Sequence, residues 1–152
     1  MQNQTTLPAT PVHGIVTMPF TPYYQDDAVT IYHADCRQVL PWLGKFDLLL
    51  TDPPYGIDAA KGKAHSSIRD NTTWEHQEWD KATPAAWLFG LMRERGDTVM
   101  IWGGNYFADY LPPSMQWFVW DKGQRNFSLA DCELAWSSQN KAARVFTYSR
   151  GA

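Results

Sequence analysis

The sequence predicts an α/β protein with a mostly parallel sheet, and three observations support this class. Short, compact apolar runs such as 46–50 and 98–102 are typical of buried parallel strands. These runs alternate with helical patterns in the order strand, helix, strand, loop, helix, strand, helix and three further strands. Of the 152 residues, 44% are hydrophobic and 19% are charged, so the chain can bury a core and is not expected to be disordered.

The first part of the chain divides into a lead-in and the start of a domain. Residues 1–28 are rich in Pro, Thr and Gln and are expected to be irregular, and residues 29–152 form the predicted domain. A β-favouring run predicts a strand over 29–33, and a short helix is expected over 36–43. The apolar run 46–50 is too short for a helix and predicts a buried strand.

The polar stretch 58–80 is long for a connection within a domain and predicts a functional loop. Thr83-Pro84 supplies a cap residue and a proline at a helix start, and Gly96 is expected to end that helix. The remaining apolar runs predict a strand over 98–102, a short helix over 105–111, and strands over 116–120, 132–136 and 143–148.

The net charge, the hydropathy and the two cysteines bear on DNA binding, membrane insertion and metal binding. The net charge is −3, from 13 basic and 16 acidic side chains, and a protein that holds DNA by charge alone is usually more basic. No apolar stretch is long enough to predict a membrane span. Cys36 and Cys132 belong to no paired or zinc-binding motif, so we expect a cytoplasmic protein and no metal site.

The segment Asp52-Pro53-Pro54-Tyr55 follows a predicted strand directly, where α/β sheets bind ligands. The two prolines have no N–H, so the backbone offers only carbonyl acceptors there. Asp52 adds a carboxylate acceptor and Tyr55 adds a flat aromatic face. Gly56 lets the chain turn away at once. A cluster of acceptors beside an aromatic ring suits a flat amine, such as the amino group of adenine or cytosine.

The run Phe46-Asp47-Leu48-Leu49-Leu50-Thr51-Asp52-Pro53-Pro54-Tyr55-Gly56-Ile57 resembles the catalytic strand of amino-group DNA methyltransferases. The similarity is to the permuted beta group, in which the catalytic motif comes first, and especially to its phage and prophage members. Further segments resemble that group over roughly residues 20–150: 23–27, 29–36, 101–107, 117–122 and 133–136. The resemblance implies a partial Rossmann-like methyltransferase fold.

The same resemblance implies methyl transfer from S-adenosylmethionine to an exocyclic amine, most often adenine N6, within a restriction-modification or phage setting. The catalytic group would be Asp52, Pro53, Pro54 and Tyr55. Asp52 and the Pro53 carbonyl would accept the amino hydrogens, and Tyr55 would stack on a base flipped out of double-stranded DNA. Asp35 matches an acidic position that contacts the adenine moiety of the cofactor.

One departure from the family pattern concerns the cofactor. The family's glycine-rich Gly-x-Gly loop has no counterpart, because none of the 10 glycines here are spaced at i and i+2. The chain therefore resembles an N-terminal portion whose sheet lacks the strand and glycine loop of the cofactor half. We expect this portion to be inactive alone and to need the missing C-terminal half or a second chain. The strand at 46–50 is expected to have one unpaired edge, through which the chain self-associates, or a substitute partner such as the strand at 29–33.

Candidate DNA contacts lie mainly in the polar stretch 58–80, where phosphate-binding cations and a stacking ring are available. They are Lys61, Lys63, Arg69 and Trp74, with Lys122 further along the chain. Two alternatives to the adenine enzyme stay open. One is an N4-cytosine DNA methyltransferase, and the other is a non-catalytic remnant that binds nucleic acid.

Overall fold

The computed structural model describes residues 18–58, 78–126 and 130–149, which form a mixed α/β structure. The chain divides into two compact units, Met1–Trp42 and Leu43–Ala152. Within the described residues, no helix has the length and apolar character needed to cross a membrane.

The first unit contains a β-hairpin and a short helix. Strands β1 (Tyr24–Gln25) and β2 (Thr30–Ile31) pair antiparallel, and α1 (Cys36–Val39) is followed by a single 3-10 turn at Leu40–Trp42. The Asp26 carboxylate closes the hairpin turn by accepting the backbone N–H groups of residues 28 and 29 at 2.8 and 2.7 Å. The expectation that 1–28 is wholly irregular therefore fails at Tyr24–Gln25, because this turn lets the short strand pair.

The second unit is built on a five-stranded sheet. Its strands are β3 (Phe46–Thr51), β4 (Gly96–Trp102), β5 (Trp117–Asp121), β6 (Cys132–Ser137) and β7 (Arg144–Thr147). Their order across the sheet is β3-β4-β6-β5-β7. All five strands were expected from apolar runs at nearly the same positions, and they differ from the expected bounds by one or two residues.

The prediction of a mostly parallel sheet is wrong, because the sheet is mixed. β3 pairs parallel to β4 and β5 pairs parallel to β7, but β6 runs antiparallel to both of its neighbours. Only a short connection separates β5 from β6 along the chain, so β6 returns beside β5 in the opposite direction. Because β6 lies between β5 and β4, both of its pairings are antiparallel.

Helix α2 (Ala86–Arg95) packs against β4 and β3. It begins at Ala86, two residues after the predicted Thr83-Pro84 start, and Gly96 ends it as predicted. The buried core comes from the helix, the sheet and the 3-10 turn Gly104–Phe107, and includes Leu88, Phe89, Met92, Val99, Ile101, Phe107 and Trp136. The expected helix over 105–111 is therefore only this short turn.

Strand β3 lies at the edge of the sheet, and β4 is its only strand partner among the described residues. The sequence analysis expected either such an unpaired edge or the strand at 29–33 as a substitute partner, and among the described strands β3 has the unpaired edge. The apolar side chains of Phe46, Leu48 and Leu50 are 41%, 49% and 57% exposed. An apolar edge without proline or clustered charge is open to pairing with another chain.

We therefore predict that the 152-residue chain self-associates through β3. Leu48→Lys should weaken this association, because a lysine on an exposed edge strand opposes strand addition while its stem replaces the leucine contacts. Met115→Lys is the matched control, since Met115 is 67% exposed and lies outside the strands. Sedimentation velocity over a concentration series measures the effect. A wild-type chain that stays monomeric at every concentration contradicts the prediction.

Candidate active site

The carboxyl ends of β3 and β4 meet the start of β6 at one edge of the sheet, and a cavity opens there. Register pairs Thr51 with Ile101 and Trp102 with Ala135, which brings the segments that follow β3 and β4 side by side. The cavity has a volume of about 280 Å³ and is lined by Asp52, Pro53, Pro54, Tyr55, Ile57, Trp79, Asp80 and Glu133. All four predicted catalytic residues are therefore in its wall.

A second cavity of about 300 Å³ lies elsewhere in the unit, beside Pro112, Trp136 and Gln139. It contains none of the predicted site residues, and its lining side chains Ser114, Ser138 and Gln139 already make hydrogen bonds within the fold. The cavity at the Asp52 motif is therefore the candidate active site.

Tyr55 and Asp52 are joined by a direct hydrogen bond. The Tyr55 hydroxyl donates to Oδ1 of Asp52 at 2.6 Å. Burial of the phenol, together with this bond and the charge of Asp52, raises the pKa of Tyr55, so the hydroxyl stays protonated and remains a donor at neutral pH. No described residue bonds to Oδ2 of Asp52, which leaves that oxygen available to a ligand N–H group.

The plane of the Tyr55 ring is fixed by packing. Its ring lies 4.7 Å from the Tyr106 ring at an interplanar angle of 11°, and Phe107 contacts it edge-on at 6.1 Å. Gly103 has a φ of +68°, and a Cβ atom at this position would overlap the Tyr55 ring. Glycine is therefore required at 103 both for the backbone conformation and for the close approach of Tyr55.

Asp80 holds the turn that follows Tyr55. Its Oδ1 accepts the Gly56 N–H at 2.9 Å, and its backbone carbonyl accepts the Asp58 N–H at 2.9 Å. Gly56 has a φ of +73°, as a sharp turn away from the motif requires. Asp80 is 5% exposed and belongs to the 3-10 turn Glu78–Asp80, so it also brings the exposed Trp79 ring to the cavity wall.

The sequence analysis did not identify Asp80, because its partner Gly56 lies 24 residues away along the chain. Local sequence gives no signal for such a bond. Glu133 was likewise not among the predicted site residues. Its position in the cavity follows from the pairing of β6 with β4, in which Trp102 lies opposite Ala135, two residues after Glu133.

Lys122 is not the surface cation that a phosphate contact needs. Its side chain is 5% exposed, and its Nζ forms an ion pair with Oε1 of Glu133 at 2.7 Å. The same ammonium lies 5.7 Å from the centroid of the Trp120 ring. The predicted role of Lys122 in DNA binding is therefore corrected: burial and the Glu133 carboxylate hold its charge inside the protein.

The other predicted site residues lie elsewhere. Asp35 belongs to the first unit, where it caps α1 by accepting the Arg37 N–H at 2.9 Å and forms an ion pair with the Arg37 guanidinium. Hydrogen bonding by Arg37 lowers the pKa of Asp35. The predictions for Lys61, Lys63, Arg69 and Trp74 fall outside the described residues. Across the described ranges, no group of three or more His, Cys, Asp or Glu side chains is arranged to hold a metal ion.

We predict that Gly103→Ala destabilises the fold and disturbs the Tyr55 ring. The left-handed backbone costs about 1–3 kcal/mol for a residue other than glycine, and the methyl group also displaces the ring. Gly90→Ala is the matched control, because a Cβ there meets nothing within 4 Å and a helix favours alanine over glycine by about 0.5–1 kcal/mol. Urea unfolding and near-ultraviolet circular dichroism check both. Equal stability of Gly103→Ala and wild type would contradict the packing described.

Comparison with known proteins identifies no relative of this chain. No protein-family model, no curated protein and no solved structure matches the chain. The functional interpretation therefore depends on the geometry of the cavity and on the residues of the motif itself.

Proposed function

We propose that this chain carries the catalytic motif of an enzyme that transfers a methyl group from S-adenosylmethionine to the exocyclic amine of a base flipped from double-stranded DNA. Adenine N6 is the proposed acceptor. The observation that supports this most directly is the cavity that combines the Asp52 carboxylate, the Pro53-Pro54 backbone and the Tyr55 ring. A flat amine-bearing base matches these groups in both shape and hydrogen bonding.

The chemistry requires acceptors at the amine. The lone pair of an exocyclic amine is delocalised into the ring, so the nitrogen is a poor nucleophile. Oδ2 of Asp52 and the Pro53 carbonyl would each accept one N–H bond and favour the tetrahedral nitrogen, whose lone pair is free. Transfer of the methyl group from the sulfonium would leave S-adenosylhomocysteine and place positive charge on that nitrogen, which would then lose one proton. The nearby carboxylate would stabilise the charge as it develops.

Tyr55 would serve in two ways. Its ring would stack on the base, an interaction worth roughly 1–3 kcal/mol. Its hydroxyl holds Asp52 through the 2.6 Å hydrogen bond, which directs the other carboxylate oxygen away from Tyr55. Tyr106 already covers one face of the Tyr55 ring, so an entering base takes the opposite face or replaces Tyr106, which is 45% exposed.

The sequence lacks the glycine loop that the family uses to hold the cofactor, because no Gly-x-Gly sequence occurs in the 152 residues. The cofactor contact at Asp35 and the partial Rossmann-like fold remain proposals from the resemblance. We infer that the glycine loop is supplied by another segment or a second chain.

Two other functions are tested by the same experiments. An N4-cytosine enzyme would use the same acceptors, and we place it second because an aspartate in the motif is more typical of adenine enzymes in the family. A non-catalytic remnant that binds nucleic acid is favoured by one observation, the lack of a Gly-x-Gly sequence.

The proposal is tested by methyl transfer from tritiated S-adenosylmethionine to unmethylated DNA, followed by digestion to nucleosides. We expect no turnover by the chain alone. Turnover should appear with a second polypeptide that carries the glycine loop of an amino-group methyltransferase, and the product should be N6-methyladenine. Asp52→Ala should lower that rate by about 10²-fold or more, because a positioned acceptor is removed.

Asp47→Ala is the control for this substitution, since Asp47 is an exposed aspartate in the same strand segment and lies outside the cavity. It should leave the rate nearly unchanged. N4-methylcytosine as the product would support the second function. An equal rate for Asp52→Ala and wild type would refute the catalytic assignment.

A separate prediction distinguishes the two roles of Tyr55. Tyr55→Phe keeps the ring but removes the donor to Asp52, and the loss of a hydrogen bond to a carboxylate should lower the rate about 3- to 30-fold. Tyr55→Ala removes both the ring and the hydroxyl. It should lower the methyl-transfer rate by about 10²-fold or more, because the stacking surface is lost as well. Measured rates of the two variants in the same assay check this. A Phe variant as active as wild type would show that the hydroxyl does not position Asp52.

A further inference from the structure

Trp79 is the most exposed of the tryptophans in the described part of the chain, at 65%. Tryptophan side chains are usually highly buried, because the indole ring has a large apolar area. Trp79 nevertheless lies in the wall of the candidate cavity, beside Ile57, which is 51% exposed. Its ring contacts no other aromatic ring within the described ranges, so no aromatic side chain of the fold covers its faces there.

The backbone of Trp79 is tied to the turn that follows Tyr55. The next residue, Asp80, is 5% exposed, and its Oδ1 accepts the Gly56 N–H at 2.9 Å. The backbone carbonyl of Asp80 accepts the Asp58 N–H at 2.9 Å. These two bonds set the position of the Trp79 backbone relative to the turn, and only the two side-chain torsions of the indole are left for a ligand to order.

The cavity therefore has aromatic side chains from two separate segments of the chain. Tyr55 follows β3, and Tyr106 already covers one face of its ring at 4.7 Å. Trp79 comes from the 3-10 turn Glu78–Asp80. The cavity volume of about 280 Å³ is close to the lower limit of roughly 300 Å³ for small-ligand pockets, which suits a ligand with one flat ring system.

We propose that Trp79 is a second stacking residue of this cavity, whose indole packs against the ring of the bound nucleobase. The contact depends on the flat ring of the ligand and not on its exocyclic groups. Trp79 thus supplies affinity for the base, whereas Asp52 and the Pro53 carbonyl bind the amine. This inference rests on the proposed function, because it takes the ligand to be a nucleobase.

The energetic basis is the contact between two flat apolar surfaces. Stacking on an aromatic side chain tolerates any base, because every base has a π face. Binding also removes the exposed indole surface of Trp79 from water, which is favourable in proportion to the apolar area covered. Loss of the indole should therefore weaken the binding of heterocycles with and without an amine by the same factor, about 5- to 150-fold for one stacking side chain.

The test is nucleoside binding by the 152-residue chain, measured by NMR titration without DNA or S-adenosylmethionine. The probes are adenosine and purine riboside, which has the same ring system without the amine. With the wild-type chain, the ring protons of both probes should shift upfield, because a stacked aromatic ring shields them. Trp79→Ala should raise the Kd of both probes by about 5- to 150-fold and reduce the upfield shift. Trp79→Phe keeps an aromatic face and should raise the Kd by about fivefold or less.

Trp42→Ala is the matched control, because Trp42 is 39% exposed, belongs to the first unit and does not line the cavity. It should leave both Kd values unchanged. Asp52→Ala separates stacking from amine binding, since it should weaken adenosine more than purine riboside. If Trp79→Ala does not fold, Trp79→Leu takes its place, because leucine keeps an apolar side chain and has no aromatic face.

Three results would overturn the inference: no detectable binding of either probe, equal Kd values for Trp79→Ala and wild type, or an effect of Trp79→Ala on adenosine alone. Equal Kd values with clear binding of adenosine remove only Trp79 and leave the proposed methyl transfer in place. Failure of the methylation assay with an intact effect of Trp79→Ala removes the enzyme function and leaves a stacking site for flat heterocycles.

Discussion

The parallel pairing of β3 with β4 determines where the groups of the candidate site lie. Leu49 pairs with Val99 and Thr51 with Ile101, so the segments after the two strands leave the sheet side by side. Tyr55 then meets Gly103 and Tyr106 within a few residues of the strand ends. A shift of one residue in this register would turn the side chains of β3 to the opposite face and separate Tyr55 from the glycine that accommodates it.

Three carboxylates, those of Asp52, Asp80 and Glu133, line the cavity, and each has a partner within the protein. Asp52 receives a donor from Tyr55, Asp80 receives the Gly56 N–H, and Glu133 receives the ammonium of Lys122. Each carboxylate thus has at least one oxygen satisfied by the protein, which offsets part of the cost of placing like charges together.

The position of β3 connects the site to the behaviour of the whole chain. The strand that leads into the Asp52 motif is also the edge strand of the sheet, and its outward apolar side chains are about half exposed. An internal strand would have its backbone groups paired on both sides and its register more strongly fixed. Any chain that pairs with β3 would therefore act directly on the segment that positions Asp52 and Tyr55.

The sequence by itself determined the elements and the motif. Apolar runs were long enough to predict β3 to β7, Gly96 predicted the end of α2, and the position of Asp52 to Tyr55 after a strand predicted a site at the carboxyl edge of the sheet. These features depend on neighbours in the chain. The tertiary structure alone decided the antiparallel placement of β6, the bond from Gly56 to Asp80, and the burial of Lys122 against Glu133. Each of these involves strand order or residues brought together from distant parts of the chain, and local periodicity and residue spacing contain no information about such pairings.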